Sequence, residues 1–235
     1  LPESELNHLQ WRRSMSLLLF GAAHAYLLWD GDVLVTYALF SFVVWRWRQW
    51  SDRQLILAAI IAFALQVLLY GGMFWLPAEV WQELSYLFDE AALAEEVAHY
   101  QQGWWEQAPR RFSDAIGMQL ISLFGGWFSC SMMLLGVVLV RRGYFSAQPP
   151  AEAARVLILT LLIGAFLMLV ALLGNRVQGF SSQYALTLGM QLHMFASGVL
   201  SIAYGLLIAR WARSTVAVAG RVVLAAVGRM ALSIY

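Results

Sequence analysis

An all-α, polytopic bundle of membrane-spanning helices is the fold class this sequence predicts, on three observations. Hydrophobic residues fill 61% of the 235 positions and charged residues only 12%, far from the balance of a soluble domain. Several apolar runs approach or exceed the roughly 20 residues a helix needs to cross a hydrocarbon core of about 30 Å. Charged, turn-forming and tryptophan-bearing stretches separate those runs, as interfacial anchoring requires.

Taken in order, the runs predict about seven segments in a single integral membrane domain over 1–235: about 12–29, 32–48, 54–76, 115–140, 154–174, 182–209 and 222–235. The first two are short. They reach spanning length only with Trp11, Trp45 and Trp47 at the interface and Arg46 and Arg48 snorkelling to water. The third runs from Arg53 to just before Pro77. A 77–114 loop follows, acidic in its first half, where Pro77 can open an amphipathic helix with Trp81, Leu84 and Phe88 on one face. In the sixth segment Ser197, Ser201 and Gly205 follow His193 at four-residue spacing, a small-residue stripe suited to close helix packing. The last segment stops at Tyr235 inside an apolar run, so the chain reads as truncated, and the polar, acidic N-terminus lacks the basic region of a signal peptide.

Strict alternation of seven segments puts eleven arginines (12, 13, 46, 48, 53, 141, 142, 155, 210, 213 and 221) on one side and three (110, 111 and 176) on the other. The positive-inside rule makes the first side cytoplasmic. A bacterial inner-membrane protein is the expected localisation.

Composition also excludes functions. All fifteen basic residues are arginine, so neither Schiff-base lysine chemistry nor a phosphate-loop lysine is available. The single cysteine, Cys130, lies in an apolar run and forms no intrachain disulfide or cysteine metal site. No zinc-binding His-Glu-x-x-His, phosphate loop or nucleophile elbow is present, and no metal is expected. Ten of eleven tryptophans fall near segment boundaries, a membrane belt rather than a nucleic-acid platform.

An ionisable side chain inside an apolar segment is costly and marks a candidate site. His24 is such a residue, followed closely by Asp30-Gly31-Asp32. A turn at Gly31 can bring either carboxylate back to the imidazole, which then serves as a general base near neutral pH. The plainer alternative is a histidine bonded to a neighbouring helix beside a solvated turn. For His193, beside Gln191, an interhelical hydrogen bond is favoured over catalysis. Arg229, about two turns into the last segment, either snorkels or meets a buried carboxylate or an anionic ligand.

Arg12-Arg13, the run to Gly21, then His24, Trp29, Gly31-Asp32-Val33-Leu34 and Tyr37-Ala38 resemble the YeiB-like membrane family (domain of unknown function 418). The closing Gly228-Arg229-Met-Ala-Leu-Ser-Ile-Tyr235 resembles that family's Gly-Arg-Met-Ala-Leu-Thr-Asn-Tyr signature, and Tyr100, Gly103 and Arg110 or Arg111 echo a third stretch. Ser233-Ile234 replaces the signature's Thr-Asn, so any role of that asparagine is lost or moved. The family's usual N-terminal segments are also missing.

The resemblance implies kinship with polytopic acyltransferases of the heparan-glucosaminide acetyltransferase type, which pass an acyl group from cytoplasmic acyl-CoA to an acceptor across the membrane. His24, Asp32 and Asp30 are then the candidate catalytic residues, and Arg229, His193 and Tyr37 the candidate substrate-binding residues. Acyl-CoA is the expected donor substrate, with no permanently bound cofactor. The expected partners are the lipid bilayer and a small-molecule or glycan acceptor, without nucleic acid; a homo-oligomer stays open. The alternative is a transporter or exporter of a small anionic or amphiphilic solute, since buried His and Arg also suit proton coupling. A non-catalytic assembly subunit is the third reading.

Overall fold

The computed structural model describes residues 2–86, 90–214, 220, 222, 223, 225 and 226. Among them every regular element is helical, with no strand. Arg229, the closing signature and most of the seventh expected segment lie outside the described residues.

Helix α1 spans Glu3–Leu27 and α2 spans Leu34–Trp47. The first half of α1 is polar, so this helix does not reach the length and apolarity of a spanning candidate. At 1.5 Å per residue, the 14 residues of α2 cover only about 21 Å. Helix α3 (Asp52–Gly72) opens on a capping box in which the Ser51 side chain and backbone are bonded to Gln54, and it runs on through a 3₁₀ turn, Met73–Trp75, to the Pro77 break. Two short helices follow, α4 (Ala78–Tyr86) directly after Pro77 and α5 (Glu90–Tyr100). Trp81 on α4 is buried, while Leu84 and Phe88, its expected companions, lie outside the described side chains.

Helix α6 (Ala108–Arg141) is the longest at 34 residues, and α7 covers Ala153–Val177. A short α8 (Ser182–Tyr184) passes into a π-helical turn, Ala185–Gly189, and then into α9 (Met190–Arg213). Four stretches are long and apolar enough to cross a membrane: 52–75, 108–141, 153–177 and 182–213. They match the third to sixth expected segments. The expectation of about seven thus stands at four candidate spans among the described residues, with α2 a shorter apolar helix.

Two helix pairs dominate the packing, α3 against α6 and α7 against α9, and α1 and α2 form a hairpin laid on α6. The main core gathers Phe40, Leu55, Ala59, Cys130, Leu134 and Val138 between α2, α3 and α6. Glycines set the closest approaches, as expected where lipid gives helices little hydrophobic reason to associate. A Cβ at Gly126 would run into the Phe40 ring, and one at Gly164 would sit 2.6 Å from Leu200. Polar contacts finish the hairpin, with Ser14 and Ser41 sharing a 2.7 Å hydrogen bond and the Ser41 hydroxyl donating to the Ala38 carbonyl.

The helix ends meet as an alternating path requires. At one end Arg48 pairs with Glu3 (2.8 Å), Arg142 with Asp52 (2.9 Å), and Arg141 and Arg213 donate to the Trp50 and Ser146 carbonyls. We call this the arginine-rich end. The α1–α2 turn and the start of α6 lie together at the other.

Candidate functional site

The α1–α2 turn owes its geometry to two glycines. A Cβ at Gly31 would meet the Trp29 ring at 2.5 Å, so this residue must be small for the turn to fold under the indole. A Cβ at Gly21 would meet the Val35 nitrogen at 2.7 Å and Asp32 Oδ2 at 2.9 Å. Glycine there lets the first turn of α2 lie directly against α1. Since Gly21 and His24 are three residues apart, they share a face of α1. The same face therefore admits α2 and presents the imidazole to it.

That approach brings His24 Nδ1 to 3.1 Å from Asp32 Oδ1. The other carboxylate oxygen, Oδ2, accepts the Val35 backbone N–H at 3.0 Å and so caps α2. The Asp32 side chain is only 2% exposed, against 29% for His24. An ionised carboxylate can only accept, so Asp32 holds the imidazole through an Nδ1–H donor. Nε2 is the nitrogen left over, with no hydrogen-bond partner among the described residues, and in the neutral ring it carries the lone pair. Trp29 stands edge-on to the imidazole with centroids 6.1 Å apart. His24 also lines a cleft of about 250 Å³ whose other walls are Phe20, Ala23, Leu27, Leu28 and Leu34. This arrangement can take a proton from a hydroxyl or amine in an apolar setting.

Asp30, the other candidate carboxylate, makes no hydrogen bond or ion pair among the described residues. Its charge is felt instead by Tyr100. Partial burial first, then the charges of Asp30, Asp114 and Glu96, hold the Tyr100 phenol above the usual tyrosine range. The third stretch that echoed the family therefore lies over the His24 end of the bundle.

Arg111 ties that stretch down. Its side chain is buried, its Nε donates to the Tyr26 carbonyl (3.1 Å) and its Nη2 to the Trp104 carbonyl (3.3 Å), and its guanidinium lies 4.5 Å from the Trp104 ring. Trp104 Nε1 donates to the Leu27 carbonyl at 3.0 Å. The last two carbonyls of α1, those of Tyr26 and Leu27, are thereby satisfied. Arg110, by contrast, pairs with Asp114 one turn along its own helix at 3.6 Å. The pattern of charges along the sequence did not separate the two arginines.

The remaining candidates fall elsewhere. Tyr37 lines a different cavity, across α2 from the His24 cleft. His193 lies on an exposed face of α9 without a hydrogen-bond partner among the described residues. No group of three or more His, Cys, Asp or Glu able to hold a metal occurs among the described residues.

Residues 139–235 match the family described as "Protein of unknown function (DUF418)". The chain is 46% identical over 54 residues to the uncharacterized protein YxaH of Bacillus subtilis (strain 168), covering 23% of this chain and 13% of that one. It is 30% identical over 138 residues to the uncharacterized protein YeiB of Escherichia coli (strain K12), covering 56% of this chain and 35% of that one. The matched region is thus well under half the length of either relative. No solved structure matches. The chain is similar to YeiB and YxaH, and its similarity to the DUF418 family lies in residues 139–235.

Proposed function

We propose that the protein is a transmembrane acyltransferase that moves an acyl group, acetyl in the simplest case, from acyl-CoA to a hydroxyl or amine acceptor. The His24–Asp32 pair carries the reading. It combines an oriented imidazole, a buried carboxylate and a free Nε2 at a cleft. Nε2 takes the acceptor's O–H or N–H proton as the acceptor oxygen or nitrogen attacks the thioester carbonyl carbon. The tetrahedral intermediate collapses, the C–S bond breaks, and the departing CoA thiolate recovers the proton from the imidazolium. Asp32 stabilises that imidazolium without being protonated itself. By the positive-inside rule the arginine-rich end faces the cytoplasm, so acceptor and base meet at the outer face of a cytoplasmic membrane. Arg229 meets the anionic groups of the donor in this scheme.

The test uses the full-length protein in nanodiscs with radiolabelled acetyl-CoA and an extract of membrane lipids and glycans. Label transfer is expected for the parent protein and is lost in a folded His24→Ala variant. Asp32→Asn is expected to retain CoA binding and slow transfer by roughly 10²- to 10⁴-fold, the range for a misoriented general base. An absence of both CoA binding and transfer in the parent would remove this reading and send the work to flux assays for a transporter.

A further inference from the structure

At the arginine-rich end a cleft of about 430 Å³ opens between the start of α7 and the end of α9. Leu206, Arg210 and Arg213 line it from α9 at i, i+4 and i+7 spacing, which puts them on one face of that helix. Ala153, Ala154 and Leu157 line it from α7, and Pro149 and Pro150 close it on the side of the α6–α7 loop. Its floor is firmly packed. Leu157 and Leu206 belong to a small buried core that they share with Tyr144 and Ala203.

No carboxylate lines this cleft. Elsewhere at the same end Arg48 meets Glu3, and Arg141 and Arg142 meet Asp52. Arg210 makes no hydrogen bond or ion pair among the described residues. Arg213 donates to a neutral group, the Ser146 carbonyl at 2.6 Å. Glu152 is the carboxylate nearest the lining residues in sequence, and it pairs with neither arginine among the described residues. Residues 215–235, which follow Ser214, add two arginines and no Asp or Glu.

An arginine that only snorkels extends along its own helix toward water. Arg213 instead reaches the α6–α7 loop, so its guanidinium is held in place beside the cleft. Arg210 lies one helical turn away. Two like charges set this close over apolar walls repel, and walls of low dielectric constant strengthen the field that they share. The guanidinium fork suits phosphate oxygens, and basic pockets between helices at the cytoplasmic surface hold phosphate head groups.

We propose that this cleft is a binding site for a phosphate group, carried by an anionic lipid of the adjoining leaflet or by a soluble phosphate ester, with Arg210 and Arg213 as its ligands. The site lies at the opposite end of the bundle from His24, and nothing in it rests on the acyl-transfer reading.

The test titrates the full-length protein, in a neutral detergent, with dioctanoyl phosphatidic acid, inorganic pyrophosphate and uncharged dioctanoylglycerol, read by native mass spectrometry. Saturable one-to-one binding of a phosphate probe, and none of dioctanoylglycerol, is expected. Binding of phosphatidic acid alone assigns the site to a lipid, and binding of pyrophosphate assigns it to a soluble ester; either upholds the proposal. Arg210→Gln breaks no contact within the protein and is expected to weaken binding by roughly 5- to 10-fold, about the worth of one arginine near a membrane surface. Adding Arg213→Gln is expected to abolish it. Arg12→Gln with Arg13→Gln, on α1, is expected to leave it unchanged. Binding of neither phosphate probe would overturn the proposal. So would binding indifferent to Arg210→Gln, or equal losses from the two arginine pairs, which would mean a diffuse basic surface.

Discussion

Gly21 illustrates how a residue with no chemistry of its own can decide a site. Its missing Cβ is the space into which Asp32 Oδ2 and the Val35 nitrogen fit. Gly21→Ala places a methyl under 3 Å from α2 backbone, so the helices must part. The expected cost is about 1–3 kcal/mol, typical of overpacking, together with a longer His24–Asp32 separation. Thermal unfolding in detergent checks the first effect and the transfer assay the second. The sequence pointed to the pair itself, because His24 and Asp32 are eight residues apart across a turn and both are costly in an apolar setting. It did not show which aspartate would turn inward. Only the Val35 N–H, waiting at the start of α2, selects Asp32 over Asp30.

At the scale of elements, the stretch from Trp104 to Arg111 works as a clasp joining the start of α6 to the end of α1. Arg111→Lys keeps the charge but loses the planar fork that reaches two carbonyls and lies on the Trp104 ring. Destabilisation of about 1.5–3 kcal/mol is expected, the range for charge-assisted hydrogen bonds. Faster amide exchange should appear in the last turn of α1 and around Trp104, while Arg110→Lys should change little. The apolar runs located α3, α6, α7 and α9 well because each is long and uninterrupted. They served α1 poorly: the helix continues back through Arg12 and Arg13 to Glu3, which its polar, helix-favouring residues and the Arg48–Glu3 contact permit.

Across the whole molecule, a wide set of large apolar side chains is exposed, among them Leu68, Ile60, Phe124, Leu162, Phe166 and Ile208. Such a surface matches a bilayer rather than water. The arginines gathered at one end then give a testable orientation. Cys130 is fully buried, so introduced cysteines can be read without interference from it. In sealed right-side-out vesicles, a membrane-impermeant maleimide is expected to label Trp105→Cys and to spare Gln148→Cys until the vesicles are opened. The reverse pattern would invert the bundle and place the His24 cleft on the cytoplasmic side.

Asp32 spends its two oxygens on different tasks, one on the imidazole and one on the first turn of α2. In the proposed reaction, folding and proton handling would therefore share an atom group, and neither could drift independently of the other. On that reading a substitution at His24 silences the chemistry and spares the hairpin, whereas every replacement at Asp32 disturbs both. Asparagine keeps an oxygen for one task but gives up the charge, and glutamate keeps the charge but lengthens the reach. If the proposed chemistry holds, Asp32 is a pleiotropic position, where one substitution carries two separate penalties.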